Sequence, residues 1–134
     1  MSTLKTDILK PTTGNKQMHT VQLTKNHCSW VTVDTTGGVV TIRDSHNVAS
    51  VTYVSAGLIT INFTEPFKDT TYSVTGQYRD DATNSPGFVC LPDPATAGFV
   101  PPSLTRVQTA AVNRAGTGVN SVEIWVMAVG ELNQ

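Results

Sequence analysis

The sequence predicts an all-β fold: an antiparallel β-sandwich of about eight strands, preceded by an extended N-terminal segment. Three observations carry that expectation. Of 134 residues 21 are Thr and 17 are Val, so more than a quarter of the chain has the χ1 stiffness that favours pleated backbone over helix. Lys and Glu, the usual residues of exposed helix faces, are scarce. From His19 onward, short alternating runs are broken by Gly, Asn, Asp and Pro at the spacing of a sandwich or barrel.

A chain of this length fits one domain. Residues 1–18 read as an extended leader in which Leu4, Ile8 and Leu9 punctuate polar residues, Pro11 forbids a continuing helix, and Thr13-Gly14-Asn15 forms a turn. Such a segment cannot bury itself, so Leu4, Ile8 and Leu9 are candidates for an interface. Residues 19–134 form the sandwich. The expected strands are His19–Thr24, Ser29–Val33, Val39–Arg43, Val48–Ser55, Leu58–Phe63, Tyr72–Arg79, Leu104–Val112 and Val122–Val129. Asp34-Thr35-Thr36-Gly37-Gly38 reads as a tight hairpin connection, and Ala56-Gly57 as a two-residue turn.

Alternation assigns faces. Ile59, Ile61 and Phe63 share one side of their strand, and Tyr72, Val74, Gly76 and Tyr78 share one side of theirs, with Ser73, Thr75 and Gln77 turned outward. The last strand differs: Val122, Ile124, Val126 and Ala128 lie on one face, and Trp125, Met127 and Val129 on the other, so both faces are apolar. A sandwich covers one face only. Two covers are open for the second: sister copies of the chain, which makes Trp125, Met127 and Val129 subunit-interface candidates, or the segment 80–103. That segment holds five of the seven prolines and reads as a stiff irregular loop, tucked down by Phe88, Val89, Phe99 and Val100. Such loops carry recognition surfaces, so Tyr78, Arg79, Asp80 and Asn84 at its start are the surface-recognition candidates, with an acidic glycan among the groups that Arg79 could contact.

Charged residues are 14% of the chain and the net charge is −1, which removes the electrostatic basis for binding nucleic acid. The longest apolar run, Ile124–Val129, is six residues where a membrane span needs about 20, so no membrane insertion is expected, and no secretory signal is visible. Enzyme chemistry finds no foothold. GxSxG, HExxH and GxxxxGK[ST] are absent, Cys28 and Cys90 form no CxxC and read as buried free thiols with a disulfide between them as the alternative, and His19, His27 and His46 are scattered. Adjacent Asp80 and Asp81 would face opposite sides of a strand, and the turn to Ser85 lacks the Gly and Glu of an EF-hand loop. Asn62-Phe63-Thr64 matches the glycosylation pattern by chance within a strand. No catalytic, cofactor or metal residue is expected.

The stretch Gly57–Gly76, with its strand, Phe63-Thr64-Glu65-Pro66-Phe67 corner and Tyr72-Ser73-Val74 restart, resembles small β-sandwich domains of tailed-bacteriophage fibre, collar and knob proteins, which are similar to H-type lectin domains. Ser121–Gly130 looks like their closing strand, and Thr3–Leu9 with Thr13-Gly14-Asn15 is similar to the leader of many marine-phage structural proteins. The resemblance implies a homotrimeric virion component, assembled in the host cytoplasm, whose leader contacts other virion proteins and whose β-domain projects. A short tail fibre or fibre tip touching the host surface is the leading expectation, with a host surface glycan as candidate partner. A capsid decoration or knob protein is the alternative within that class. Outside it stands a non-phage carbohydrate-binding module, which needs a platform of exposed aromatics; Tyr53, Tyr78, Trp30 and Trp125 look too few and too evenly spread to build one.

Overall fold

The computed structural model describes residues 28–79, 87–121 and 123–133, together with the backbone of Ile8–Leu9 and Met18–His19. These last two are short strands, β1 and β2, paired antiparallel with each other. The sandwich follows with β3 (Cys28–Asp34), β4 (Thr41–His46), β5 (Val48–Ser55), β6 (Leu58–Phe63), β7 (Ser73–Arg79), β8 (Gly87–Cys90), β9 (Arg106–Asn113) and β10 (Glu123–Val129). They form two four-stranded antiparallel sheets, in the orders β4-β3-β10-β7 and β5-β6-β9-β8. The predicted β-sandwich is the observed fold.

Its core is the set of inward side chains that alternation marks out. Val31, Val33, Ile124, Val126 and Ala128 from the first sheet meet Ile59, Ile61, Phe63, Val107 and Ala111 from the second, all of them buried. One end is closed by the Phe-Pro-Phe corner. Phe67 has no exposed surface; its ring stacks on Tyr72 at 4.5 Å and meets Phe63 edge-on at 4.9 Å. The Tyr72 hydroxyl lies 3.0 Å from the carbonyls of Ser103 and Arg106 and donates to that pair, which ties β7 to the start of β9.

Turns follow the residues that permit them. Gly37 and Gly38 at φ +70° and +77° close the β3–β4 connection, and Gly57 at φ +74° closes β5–β6. A Cβ on Gly57 would stand 2.3 Å from the Ala111 carbonyl oxygen, so only glycine fits. Between β4 and β5 the chain changes sheets at Asn47, left-handed at φ +53°. Asn tolerates that conformation, and its side chain is pinned: Nδ2 donates to Ser29 Oγ at 2.7 Å, while Oδ1 accepts from the Glu65 N–H at 2.7 Å.

Several expected boundaries shift. Val39 and Val40 precede β4 instead of opening it, because the chain leaves the turn with Val40 packed on the core and Val39 exposed. Leu104 and Thr105 precede β9, in the turn where the Leu104 carbonyl accepts from Phe67. The expected strand His19–Thr24 lies outside the described residues beyond His19. The segment expected as irregular contains a strand, β8, paired with β9 through Phe88↔Val112 and Cys90↔Ala110. Within it Val89 packs on the core, whereas Phe88 is not tucked down but turns outward and stays half exposed.

Candidate functional site

Central position in the first sheet gives β10 its character. It pairs with β3 through Trp125↔Thr32, Met127↔Trp30 and Val129↔Cys28, and with β7 through Trp125↔Gln77, Met127↔Thr75 and Val129↔Ser73. Residues opposite one another share a face, so these side chains form one surface on the solvent side of the sheet. Its apolar members are uncovered: Trp125 is 39% exposed, Met127 41% and Val129 44%, while their neighbours Ile124, Val126 and Ala128 are buried. Trp30 stands diagonally across from Trp125 and stacks on His46 with ring centroids 6.5 Å apart. A shallow cleft of about 280 Å³ runs among Trp30, Thr32, Thr75, Gln77, Trp125 and Met127.

The two tryptophans, 95 positions apart, are therefore not spread over the surface as their spacing in the chain suggested. Pairing of β3 with β10 brings them together. Tyr53 and Tyr78 do not join them: the Tyr53 hydroxyl donates to Asn120 at 3.0 Å, and Tyr78 turns inward against the core.

Segment 91–103 does not reach this surface. It lies over the outer side of the other sheet, where Gln108, 1% exposed, holds it down. Gln108 Oε1 accepts from the Val100 N–H at 2.9 Å, and Nε2 donates to the Gly98 carbonyl at 2.9 Å. Of the 80–103 segment, the described residues 87–103 therefore do not cover the outer face of β10, and residues 80–86 lie outside the described residues. Beside it a concavity of about 490 Å³ opens over Leu58 and Ala110, rimmed by Phe88 and Leu91.

Of the recognition candidates only Tyr78 and Arg79 are among the described residues, and they do not share a face. Tyr78 and Arg79 point to opposite sides of β7, and Arg79 Nη2 lies 3.4 Å from Glu123 Oε2. Asp80, Asn84 and Leu4 lie outside the described residues, while Ile8 and Leu9 are placed in β1 by backbone alone. Asn62 donates through Nδ2 to Ser50 Oγ across the β5–β6 pair. Both cysteines are free and partly buried, rather than fully buried as their type suggested; burial pushes the Cys90 thiol up, and its S–H points to the Ala110 carbonyl at 3.7 Å.

Other perturbed groups have structural causes. Arg43 and the Thr36 N–H hold the Asp34 carboxyl down at about 2. Hydrogen bonds from Thr71 lower Asp69, and burial raises Tyr72. Among the described residues no three His, Cys, Asp or Glu side chains come close enough to hold a metal ion.

No protein-family model matches the chain, and neither a curated protein nor a solved structure does. Apolar and flat, with hydrogen-bonding groups at its margin, the surface around β10 has the composition of an interface core. Sequence reasoning found half of it, through the alternation of β10. It missed Trp30 and Gln77, because alternation tells which side a residue faces and not which strand lies next door.

Proposed function

We propose that the protein is a structural component of a bacteriophage virion, a trimer whose copies associate through the outer face of the β4-β3-β10-β7 sheet and whose β-domain projects as a short tail fibre or fibre tip. One observation supports the reading above all others. Trp125, Met127 and Val129 stand in a row on a central strand, beside Trp30, and nothing among the described residues covers them. Contiguous apolar surface of that kind mostly marks contacts with other molecules. The viral setting rests on the resemblance carried by the Phe63–Tyr72 corner and the closing strand.

Light scattering on the full chain at micromolar concentration is expected to return three times the 14.3 kDa monomer mass. Trp125→Lys is expected to return one. A wild-type chain that stays monomeric overturns the reading. Imaging of intact particles then tests location: label at the tail tip supports a fibre, and label on head shells lacking tails replaces it with a capsid decoration.

A further inference from the structure

We infer that the outer face of the β4-β3-β10-β7 sheet is the receptor for the leader of a second copy: residues 4–19 of one chain lie across Trp30, Trp125, Met127 and Val129 of the next. The inference rests on the self-association read above and names what makes the contact.

Charge divides the chain unevenly. Residues 1–27 carry Lys5, Lys10, Lys16 and Lys25 against Asp7, a balance of +3, which leaves −4 on residues 28–134 of a chain whose net charge is −1. Opposite charge draws the leader toward a β-domain. On the receiving sheet Asp44 is in register with Thr32, which pairs in turn with Trp125.

The leader also carries apolar residues at the two paired strands. Ile8–Leu9 and Met18–His19 pair with each other and with neither four-stranded sheet. A two-stranded ribbon is marginal in water and needs an apolar surface beneath it. Its sequence supplies Ile8, Leu9 and Met18, and the bare sheet face supplies the surface.

Reach is sufficient. The leader joins the sandwich at Cys28, which opens β3 and pairs with Val129 at one end of the bare row. From Cys28 back to Met18, with which Leu9 pairs, an extended chain of ten residues spans up to ~33–36 Å, whereas four strands are only ~14–19 Å across. The tether starts at the rim of its own bare row, and in the proposed trimer the row it crosses is that of the next copy.

The test uses the full chain, with Leu4→Asp, Ile8→Asp and Leu9→Asp combined, all outside the sandwich. Mass by light scattering and iodide quenching of tryptophan emission are read on the same samples. Wild type is expected to be oligomeric with protected tryptophans; the triple variant is expected to be monomeric, with quenching raised several-fold and an unchanged β-sheet circular dichroism spectrum. Lys5→Glu with Lys10→Glu should weaken association at least several-fold at low salt and less at high salt. An oligomer that persists in the triple variant with tryptophans still protected overturns the leader's role and leaves self-association through the sheet standing. A wild-type monomer with protected tryptophans that the triple variant exposes means that the leader covers its own sheet, which overturns both readings. A wild-type monomer with tryptophans already exposed also overturns both.

Discussion

The two sheets carry apolar side chains on their solvent sides as well as on their core sides, yet they dispose of them differently. Over β5-β6-β9-β8 the chain lays its own proline-bearing segment, burying Leu58 and Pro92, with Gln108 bonded to the Gly98 and Val100 backbone. Over β4-β3-β10-β7 it lays nothing among the described residues, and Trp125, Met127 and Val129 stay in contact with water. One polar side chain explains much of the difference. A loop can rest on a sheet only if its backbone N–H and C=O groups find partners there. Gln108 offers an acceptor and a donor at once, whereas on the outer face of β10 Trp125, Met127 and Val129 offer indole, sulfur and aliphatic carbon, and the Glu123 carboxylate is paired with Arg79.

The largest expected effect contrasts neighbours on one strand. Ile124→Ala removes a side chain 1% exposed in the core and is expected to cost about 2–5 kcal/mol, the range for such truncations. Chemical denaturation should give that loss at every protein concentration, since the cavity is internal to one copy. A cost that grows with concentration would mean that the core and the association surface are coupled through β10.

Gln108→Ala comes next. It removes the partners of the half-buried Val100 N–H and of the carbonyl of the exposed Gly98, and since water can reach these groups a loss of about 1–2 kcal/mol is expected, toward the low end for an unsatisfied group. Limited proteolysis should then cut within 91–103 much faster than in wild type, while the mass by light scattering stays unchanged. Unaltered cleavage would show that Pro92 and its neighbours hold the segment without the glutamine.

These two positions also show what the sequence could disclose. Ile124 was legible as a core residue because strict alternation in β10 needs no knowledge of neighbours. Gln108 was not, for a glutamine in a strand looks like a solvent-facing residue until a loop from ten positions upstream closes over it. The same limit hid β8: four residues with two apolar side chains, set among prolines, give no periodicity to read, and only pairing with β9 makes Gly87–Cys90 a strand. Trp30 and Trp125 were each visible. Their adjacency depends on β3 and β10 being neighbours, a pairing across most of the chain that local pattern cannot specify.

Trp125→Ala should have a smaller effect on a separated copy, below the roughly 3–5 kcal/mol of a buried aromatic, because 39% of the residue is already exposed. In the proposed trimer the loss should rise with protein concentration, since the midpoint of an associating wild type moves with concentration. Thermal unfolding at concentrations spanning two decades checks this, and parallel curves for wild type and variant would assign Trp125 to a bare surface with no partner.

The smallest effect concerns the turn that ends the bare sheet. Asp34 Oδ2 accepts from Arg43 Nη2 at 2.8 Å and Oδ1 from the Thr36 N–H at 2.9 Å, and these bonds, with Arg43 foremost, hold its carboxyl at about 2 against an ordinary 3.8. A carboxyl whose affinity for protons is lower in the folded chain stabilises the fold at any pH above its unfolded value, and that contribution disappears as pH falls from about 4 toward 2. The group is solvent-accessible, so the loss is small and salt weakens it. Thermal midpoints measured from pH 5 to 2 should therefore fall less steeply for Arg43→Leu than for wild type, while Asp69, lowered by Thr71 at the opposite end of the domain, contributes the same acid slope to both proteins. Equal slopes would mean that the Thr36 N–H alone maintains the Asp34 carboxylate, and that the β3–β4 turn is fixed by its own backbone before anything settles on the sheet beside it.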